Sequence, residues 1–351
     1  MTPRALLSER LRSHRLTAPA PTVTSAATHM LAVQSQDFLA GRWALGVRSS
    51  RTTLSGVDRA FARGTLVRTW TMRGTLHIIP AADVRWVLSV TAERQLRQAA
   101  GRHRALGIDD EVLSRVARAV EPRLVDGGRT RAQLFDDIAG LGVDPGAQRG
   151  AHILLALCVR GVLVQGPVVP SRNGAVAREQ LFVSADAHLP SVPMPDDALA
   201  ELFVRYVDGH GPVGAADFAW WSGLPLGSAR EAVERARHRV VEVADGVFVA
   251  ASRPRRARGA SDDAVIALPM FDEYYISYAD RAPVADDAAM AAIGPGANGM
   301  VRATLLHGGR VVGAWSHASA YRDAPPDVFT SHLDPDATAT AMGRFTAFVE
   351  G

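Results

Sequence analysis

Lysine is absent: all 39 basic side chains are arginine. No lysine Schiff base can form, so a lyase working through an imine would have to use the N-terminal amine. The single cysteine, Cys158, has no partner for an internal disulfide and sits in the apolar run Ile153–Val159. It reads as a buried small hydrophobe rather than a nucleophile, in keeping with a reducing compartment. No apolar run reaches the roughly 18 residues a membrane span needs. Residues 1–20 mix four arginines with short apolar pieces and lack the h-region of a secretory signal. No His/Cys/Asp cluster has metal-ligand spacing, and no Gly-rich loop follows a strand in a nucleotide-binding pattern. The expectation is a cytoplasmic protein with no metal, no cofactor and no membrane contact.

Acidic residues are scarce in the first third. Residues 1–105 hold 16 arginines against five Asp plus Glu, whereas the rest of the 351-residue chain is net acidic and brings the total to +3. A polyanion facing the first third is one reading of this imbalance; scattered, solvated arginines are the other.

A chain this long predicts two or three domains. Helical spacing runs through residues 4–17, 22–32, 37–47 and 53–63. Then T-L-V-R-T-W-T-M-R-G-T-L-H-I-I-P alternates like two strands joined at Arg73–Gly74, a hairpin signal. Helices followed by a strand–turn–strand is the winged-helix order, with the hairpin as wing; helix returns at 81–104. The order recurs, with helices at 109–125, 130–140 and 148–160 and strands at 161–169 and 180–184 around a polar turn, Ser171–Arg178. A linker with Pro190, Pro193 and Pro195 marks a boundary. Helices at 197–209, 214–222 and 226–237 precede strands at 240–243 and 247–250. The predicted fold is α+β and mainly α, with three tandem winged helices (1–106, 107–192 and 193–351). The last carries a C-terminal α/β extension with a strand pair flanking His307–Gly309 and a helix over 337–349.

Gln34 and Gln36 stand out. In an extended segment, residues two apart aim to the same side; on a helix they diverge, so a shared role needs a helix terminus or a kink. A pair of solvated or capping amides is the plainer alternative.

Several separated stretches resemble one family. They are Q-S-Q-D at 34–37, R-T-W-T-M-R-G-T-L-H at 68–77, H-G-P-V-G-A-A-D-F-A-W-W-S-G-L at 210–224, L-P-M-F-D-E-Y-Y-I-S-Y-A-D-R at 268–281 and G-G-R-V-V-G-A-W at 308–315. The chain is similar to the winged-helix DNA-binding-domain-containing family that includes the AlkZ and YcaQ DNA glycosylases. The resemblance implies winged helices in a C-shaped body around duplex DNA. It also implies excision of alkylated bases, including both ends of interstrand crosslinks, in self-resistance to genotoxic natural products. The family's Gln–x–Gln signature falls on Gln34 and Gln36; the YcaQ-like branch carries Gln–x–Asp, so the chain looks nearer AlkZ. The middle residue, often apolar, is Ser35 here. The expected partner is double-stranded DNA with an alkylated guanine, bound by a nucleoid-associated monomer through Arg42, Arg48, Arg68, Arg73, His77, Arg253, Arg255, Arg256 and Arg258. For Arg73 a surface turn, for His77 a structural histidine, and for Arg253, Arg255, Arg256 and Arg258 a disordered loop are the alternatives. Asp272 and Glu273, set in an apolar run, read as structural or DNA-adjacent.

Glutamine cannot ionise and is a poor general base. An N7-alkylated guanine, however, is already cationic and leaves as a neutral base. The protein then has to position a water and stabilise positive charge developing on the sugar, which two carbonyl oxygens are able to do. The competing class is a non-catalytic DNA- or drug-binding winged-helix protein, either a regulator or a sequestering resistance factor.

Overall fold

Caps set the helix boundaries around the Gln–x–Gln segment. In the computed structural model, which describes residues 1–125, 127–171, 175–257, 261–296, 299–331 and 333–351, helix α1 (Pro3–Ser13) starts on Thr2 with proline in its first turn. The missing proline N–H costs nothing there. Thr22 caps α2 (Val23–Met30) in a reciprocal box with Ser25. The helix stops short of the expected Ala32 because Leu31 adopts a φ of 62°, a left-handed conformation that ends helical propagation. A two-residue strand, β1 (Val33–Gln34), follows. Helix α3 (Phe38–Val47) then starts on Asp37, whose Oδ1 accepts the Ala40 N–H at 2.8 Å.

Helix α4 (Leu54–Ala62) leads to β2 (Leu66–Met72) and β3 (Thr75–Pro80). Their turn has φ 54° at Arg73 and 68° at Gly74, two consecutive left-handed residues as a type I′ hairpin requires. The long helix α5 (Val84–Ala105) follows. Next come α6 (Asp110–Val120), α7 (Arg131–Ala139) and α8 (Arg149–Val159), then β4 (Leu163–Val168), β5 (Gln180–Ser184) and the short α9 (Ala185–His188). This is the expected helices-then-wing order; the polar turn at 171–178 includes residues 172–174, outside the described set. Apolar on most sides, α8 is the buried helix: Ile153, Leu154, Leu157 and Cys158 pack with Leu113, Val116, Leu134 and Ile138.

The third winged helix comprises α10 (Ala198–His210), α11 (Ala215–Ser222), α12 (Leu226–Ala236) and the hairpin β6 (Val240–Ala244)–β7 (Val247–Ala250). Phe203, Tyr206, Phe218, Trp221 and Phe248 form its aromatic core. The extension contributes β8 (Ile266–Leu268), α13 (Glu273–Ile276), α14 (Asp287–Ile293), β9 (Ala303–His307), β10 (Arg310–Trp315), α15 (His317–Ala320), β11 (Asp327–Val328) and α16 (Pro335–Glu350). Its antiparallel sheet has the order β11-β10-β9-β8. The fold is α+β and mainly helical, with tandem winged helices.

The contacts divide the chain into two compact units, Met1–Val57 with Leu199–Gly351, and Asp58–Ala198. This division cuts across the segments 1–106, 107–192 and 193–351. Helices α1–α3 fold with the C-terminal part, while the wing β2–β3 folds with the second winged helix. The reason lies in the strand edges. Within Asp58–Ala198 the strands run β3-β2-β4-β5, and Arg68 on β2 pairs with Gln165 on β4, so the two wings close each other's open edges. In the other unit, α16 covers α3: Phe348 and Phe345 lie 5.2 and 5.7 Å from Trp43, ring centre to ring centre, and the Trp43 indole N–H donates to the Ala267 carbonyl at 3.0 Å. Among the described residues, no helix is long and apolar enough to cross a membrane.

Cys158 is fully buried, and burial pushes its thiol pKa up to about 12. Thiol labelling with a disulfide reagent is therefore expected to follow unfolding. We expect no reaction over hours in native buffer and one equivalent in guanidinium; rapid native labelling would contradict the burial.

Candidate active site

Two adjacent carboxylates form the centre of the unit that carries Gln34 and Gln36. The run L-P-M-F leaves β8 and ends at Phe271, whose φ of 58° turns the chain sharply. Asp272 then caps α13, accepting the Tyr274 N–H at 2.9 Å. Both oxygens of Asp272 also receive the Arg48 guanidinium, at 2.7 Å each, with neither side chain reaching solvent. This bidentate geometry satisfies a charge pair that water does not reach. The next residue, Glu273, is 0% exposed. Its Oε1 accepts the backbone N–H of Gln34 at 2.7 Å, and its Oε2 accepts the Trp221 indole N–H at 3.2 Å and the Ser277 hydroxyl.

Histidines and tyrosines surround the pair. Tyr278 donates its hydroxyl to the His210 carbonyl at 2.8 Å, so the His14 Nε2, 2.7 Å from that hydroxyl, is the donor between them. His14 Nδ1 is then the acceptor that faces Arg48 Nη2 at 3.3 Å. Burial, then the charges of His210, Arg48 and Arg10, pushes the His14 pKa well below its ordinary value. Burial also lowers that of His210, partly opposed by Glu273 at 3.6 Å. Arg10 stacks on the Tyr278 ring at 3.6 Å.

Gln34 is 8% exposed, Ser35 is buried and Gln36 is exposed. The extended backbone that a shared role requires is present at Gln34, but the two amides meet different surroundings. Arg73 is half-buried at the apex of the β2–β3 turn. Arg253, Arg255 and Arg256 are exposed; Arg253 faces Glu9 at 3.5 Å, and Arg256 pairs with Asp262. Such exposed pairs are worth about 0–1 kcal/mol, so a phosphate readily displaces them. Arg258 lies outside the described residues.

Four of the residues expected to contact DNA are buried. Arg48 belongs to the Asp272 ion pair. Arg42 is fully buried, its guanidinium 4.1 Å above the Phe38 ring and its Nε donating to the Phe38 carbonyl at 3.4 Å. Arg68 is buried in the joined sheet and donates to Gln165 Oε1 at 2.9 Å. His77 is buried with its Nδ1 2.9 Å from the Thr71 hydroxyl, which agrees with the structural alternative. Composition counts charge but not burial, and these four side chains are held inside by specific acceptors or rings. Sequence reasoning also left Glu273 without a link to Gln34; an Asp–Glu pair inside an apolar run was the available signal, since buried acids need donors from elsewhere in the chain. Among the described residues, no group of three or more His, Cys, Asp or Glu side chains is placed to hold a metal ion.

Winged-helix units in tandem, with the Gln34–Gln36 segment in the first of them, define a winged-helix class of protein. The chain belongs to the AlkZ-like DNA glycosylase family, whose profile, described as DNA glycosylase AlkZ-like, matches residues 27–347. It is 24% identical over 209 residues to an interstrand DNA cross-link repair glycosylase of Streptomyces sahachiroi. That alignment spans 58% of this chain and only 56% of the relative. Its fold is similar to that of the solved Streptomyces sahachiroi DNA glycosylase AlkZ, with a TM-score of 0.77 at 21% identity over 99% of this chain and 97% of that one.

Removing Arg48 leaves the Asp272 charge buried and unpaired, which costs about 3–5 kcal/mol. Urea denaturation of Arg48→Met should show a loss of this size. The double variant Arg48→Met/Asp272→Leu should recover at least half of it, because no orphan charge remains. A loss under about 1 kcal/mol would mean the pair is solvated.

Proposed function

We propose that the chain is a monofunctional DNA glycosylase that hydrolyses the N-glycosidic bond of bulky N7-alkylguanine adducts or interstrand crosslinks. Gln34 and Gln36 are its catalytic residues. The observation that carries this reading is the backbone at Gln34: it ends the short strand Val33–Gln34 and is fastened to Glu273, while Asp37, just past Gln36, caps α3. Support also comes from the family match and from the similarity to the interstrand DNA cross-link repair glycosylase of Streptomyces sahachiroi.

In this mechanism the bond between C1′ and N9 breaks and its electron pair passes to the purine. The positive charge that the alkyl group placed on the base is thereby neutralised, and the base leaves without being protonated. Positive charge develops on the sugar, and a water held by the glutamine carbonyl oxygens attacks C1′ and gives its proton to solvent. Oriented dipoles suffice for this, because they are needed to position the water and stabilise the cation rather than to remove a proton before attack. Undamaged bases, which need protonation to leave, are poor substrates. Arg73 at the hairpin turn contacts the DNA backbone, and so do Arg253, Arg255 and Arg256 in the other unit. The protein acts as a monomer on double-stranded DNA.

The test is a duplex carrying one N7-alkylguanine, incubated with wild type and with Gln34→Ala/Gln36→Ala, with free modified base and alkali-labile strand breaks as the readouts. Wild type should release the base, and the double variant should do so about 100-fold or more slowly. Equal release by both removes the glutamines from the mechanism. Tight DNA retention without release by wild type points instead to a binding protein.

A further inference from the structure

We propose that Glu273 is the positioning residue for the glutamine pair: its carboxylate fixes the backbone from which Gln34 and Gln36 project. The inference rests on the assignment of those glutamines as catalytic.

The geometry supports this in three steps. The segment after α2 has left the helix at Leu31, so the Gln34 N–H has no helical acceptor. Instead it donates to Glu273 Oε1 at 2.7 Å, across 239 residues of sequence. Hydrogen bonds to an ionised acceptor are roughly twice as strong as neutral ones, and this one lies in a site with no exposure of Glu273. Second, the carboxylate is itself immobilised. Trp221 on α11 and Ser277 at the end of α13 both donate to Oε2, so one further element and the end of its own helix fix the anchor. Third, a glutamine that orients a water works only if its carbonyl lies within about 0.5 Å of the productive position. Glutamine has three rotatable side-chain bonds, and a wandering Cα would add to that freedom. Fixing the peptide of Gln34 removes the backbone contribution, and Asp37, three residues on, fixes the other end.

Trp221, Glu273 and Ser277 lie within two of the stretches quoted above, H-G-P-V-G-A-A-D-F-A-W-W-S-G-L and L-P-M-F-D-E-Y-Y-I-S-Y-A-D-R. The contact also gives those stretches a common purpose, since both surround a single carboxylate that ends on Gln34. Glu273 does not need to touch the DNA for this role.

The experiment uses the full chain and a duplex with a single N7-methylguanine. Single-turnover excision rate and duplex Kd are measured for wild type, Glu273→Gln, Ser277→Ala and Gln34→Ala/Gln36→Ala. The Gln34 amide is followed by NMR in protein labelled with 15N-glutamine. Glu273→Gln should slow excision about 100-fold with Kd within about threefold, and should move the Gln34 amide proton upfield as the charged acceptor is lost. Ser277→Ala removes one of the donors that hold the Glu273 carboxylate but leaves the Gln34 bond, so it should slow excision less than Glu273→Gln does, with Kd within about threefold. If Glu273→Gln does not fold, Glu273→Asp, which keeps the charge but withdraws it by one methylene, should give the same split between rate and affinity at roughly tenfold. If the glutamine variant loses activity while the Glu273 variants excise at the wild-type rate, the positioning role is overturned. A parallel loss of rate, affinity and melting temperature in Glu273→Gln and Ser277→Ala also overturns it, as the mark of a merely structural residue. If Gln34→Ala/Gln36→Ala keeps the wild-type rate, or wild type releases nothing, the underlying glutamine assignment has failed and this inference with it.

Discussion

A carboxylate withdrawn from water must be met by donors, and two of them side by side demand many. Asp272 and Glu273 meet this demand by drawing on separated parts of the sequence. Arg48 comes from the end of α3, Trp221 from α11, and the Gln34 backbone from the strand before α3. No element supplies both carboxylates alone. The burial of these two charges therefore requires the N-terminal helices and the C-terminal extension to close on one another. That is why residues 1–57 fold with residues 199–351 rather than with the wing that follows them.

The same requirement fixes conformation around the glutamines. Leu31 in a left-handed conformation and Asp37 as a cap interrupt what would otherwise be one apolar helix from α2 into α3. The interruption exposes backbone polar groups that would be costly if left unpaired. Glu273 answers one of them. Aromatic packing supports the arrangement from behind: Tyr206 stacks on both His210 and Trp221, at 4.7 and 4.8 Å between ring centres. Burial lowers the pKa of both histidines, and Arg48 is the cation paired with Asp272.

The arginines divide by the same physics. Arginine is the cation best suited to bidentate burial, and in a chain without lysine it serves both the interior and the surface. Arg42, Arg48 and Arg68 went inside, where each is held by a ring, a carboxylate or an amide. Arg253, Arg255 and Arg256 stayed outside. The basic first third is thus in part an internal feature of the core, and its net charge overstates the positive potential on its surface.

Local physics made much of the chain legible in advance. Periodicity and caps set the helices, the Arg73–Gly74 turn set the first hairpin, and the quoted stretches pointed to a winged-helix family and to Gln34 and Gln36. These signals depend on residues within a few positions of each other, so sequence by itself determined them. Which arginines are buried, how the two wings share a sheet at Arg68 and Gln165, and which donor meets Glu273 were decided only by tertiary structure. The partners in those contacts lie 97 to 239 residues apart. A hydrogen bond between such partners depends on how the whole chain closes, and no local pattern of residues records it.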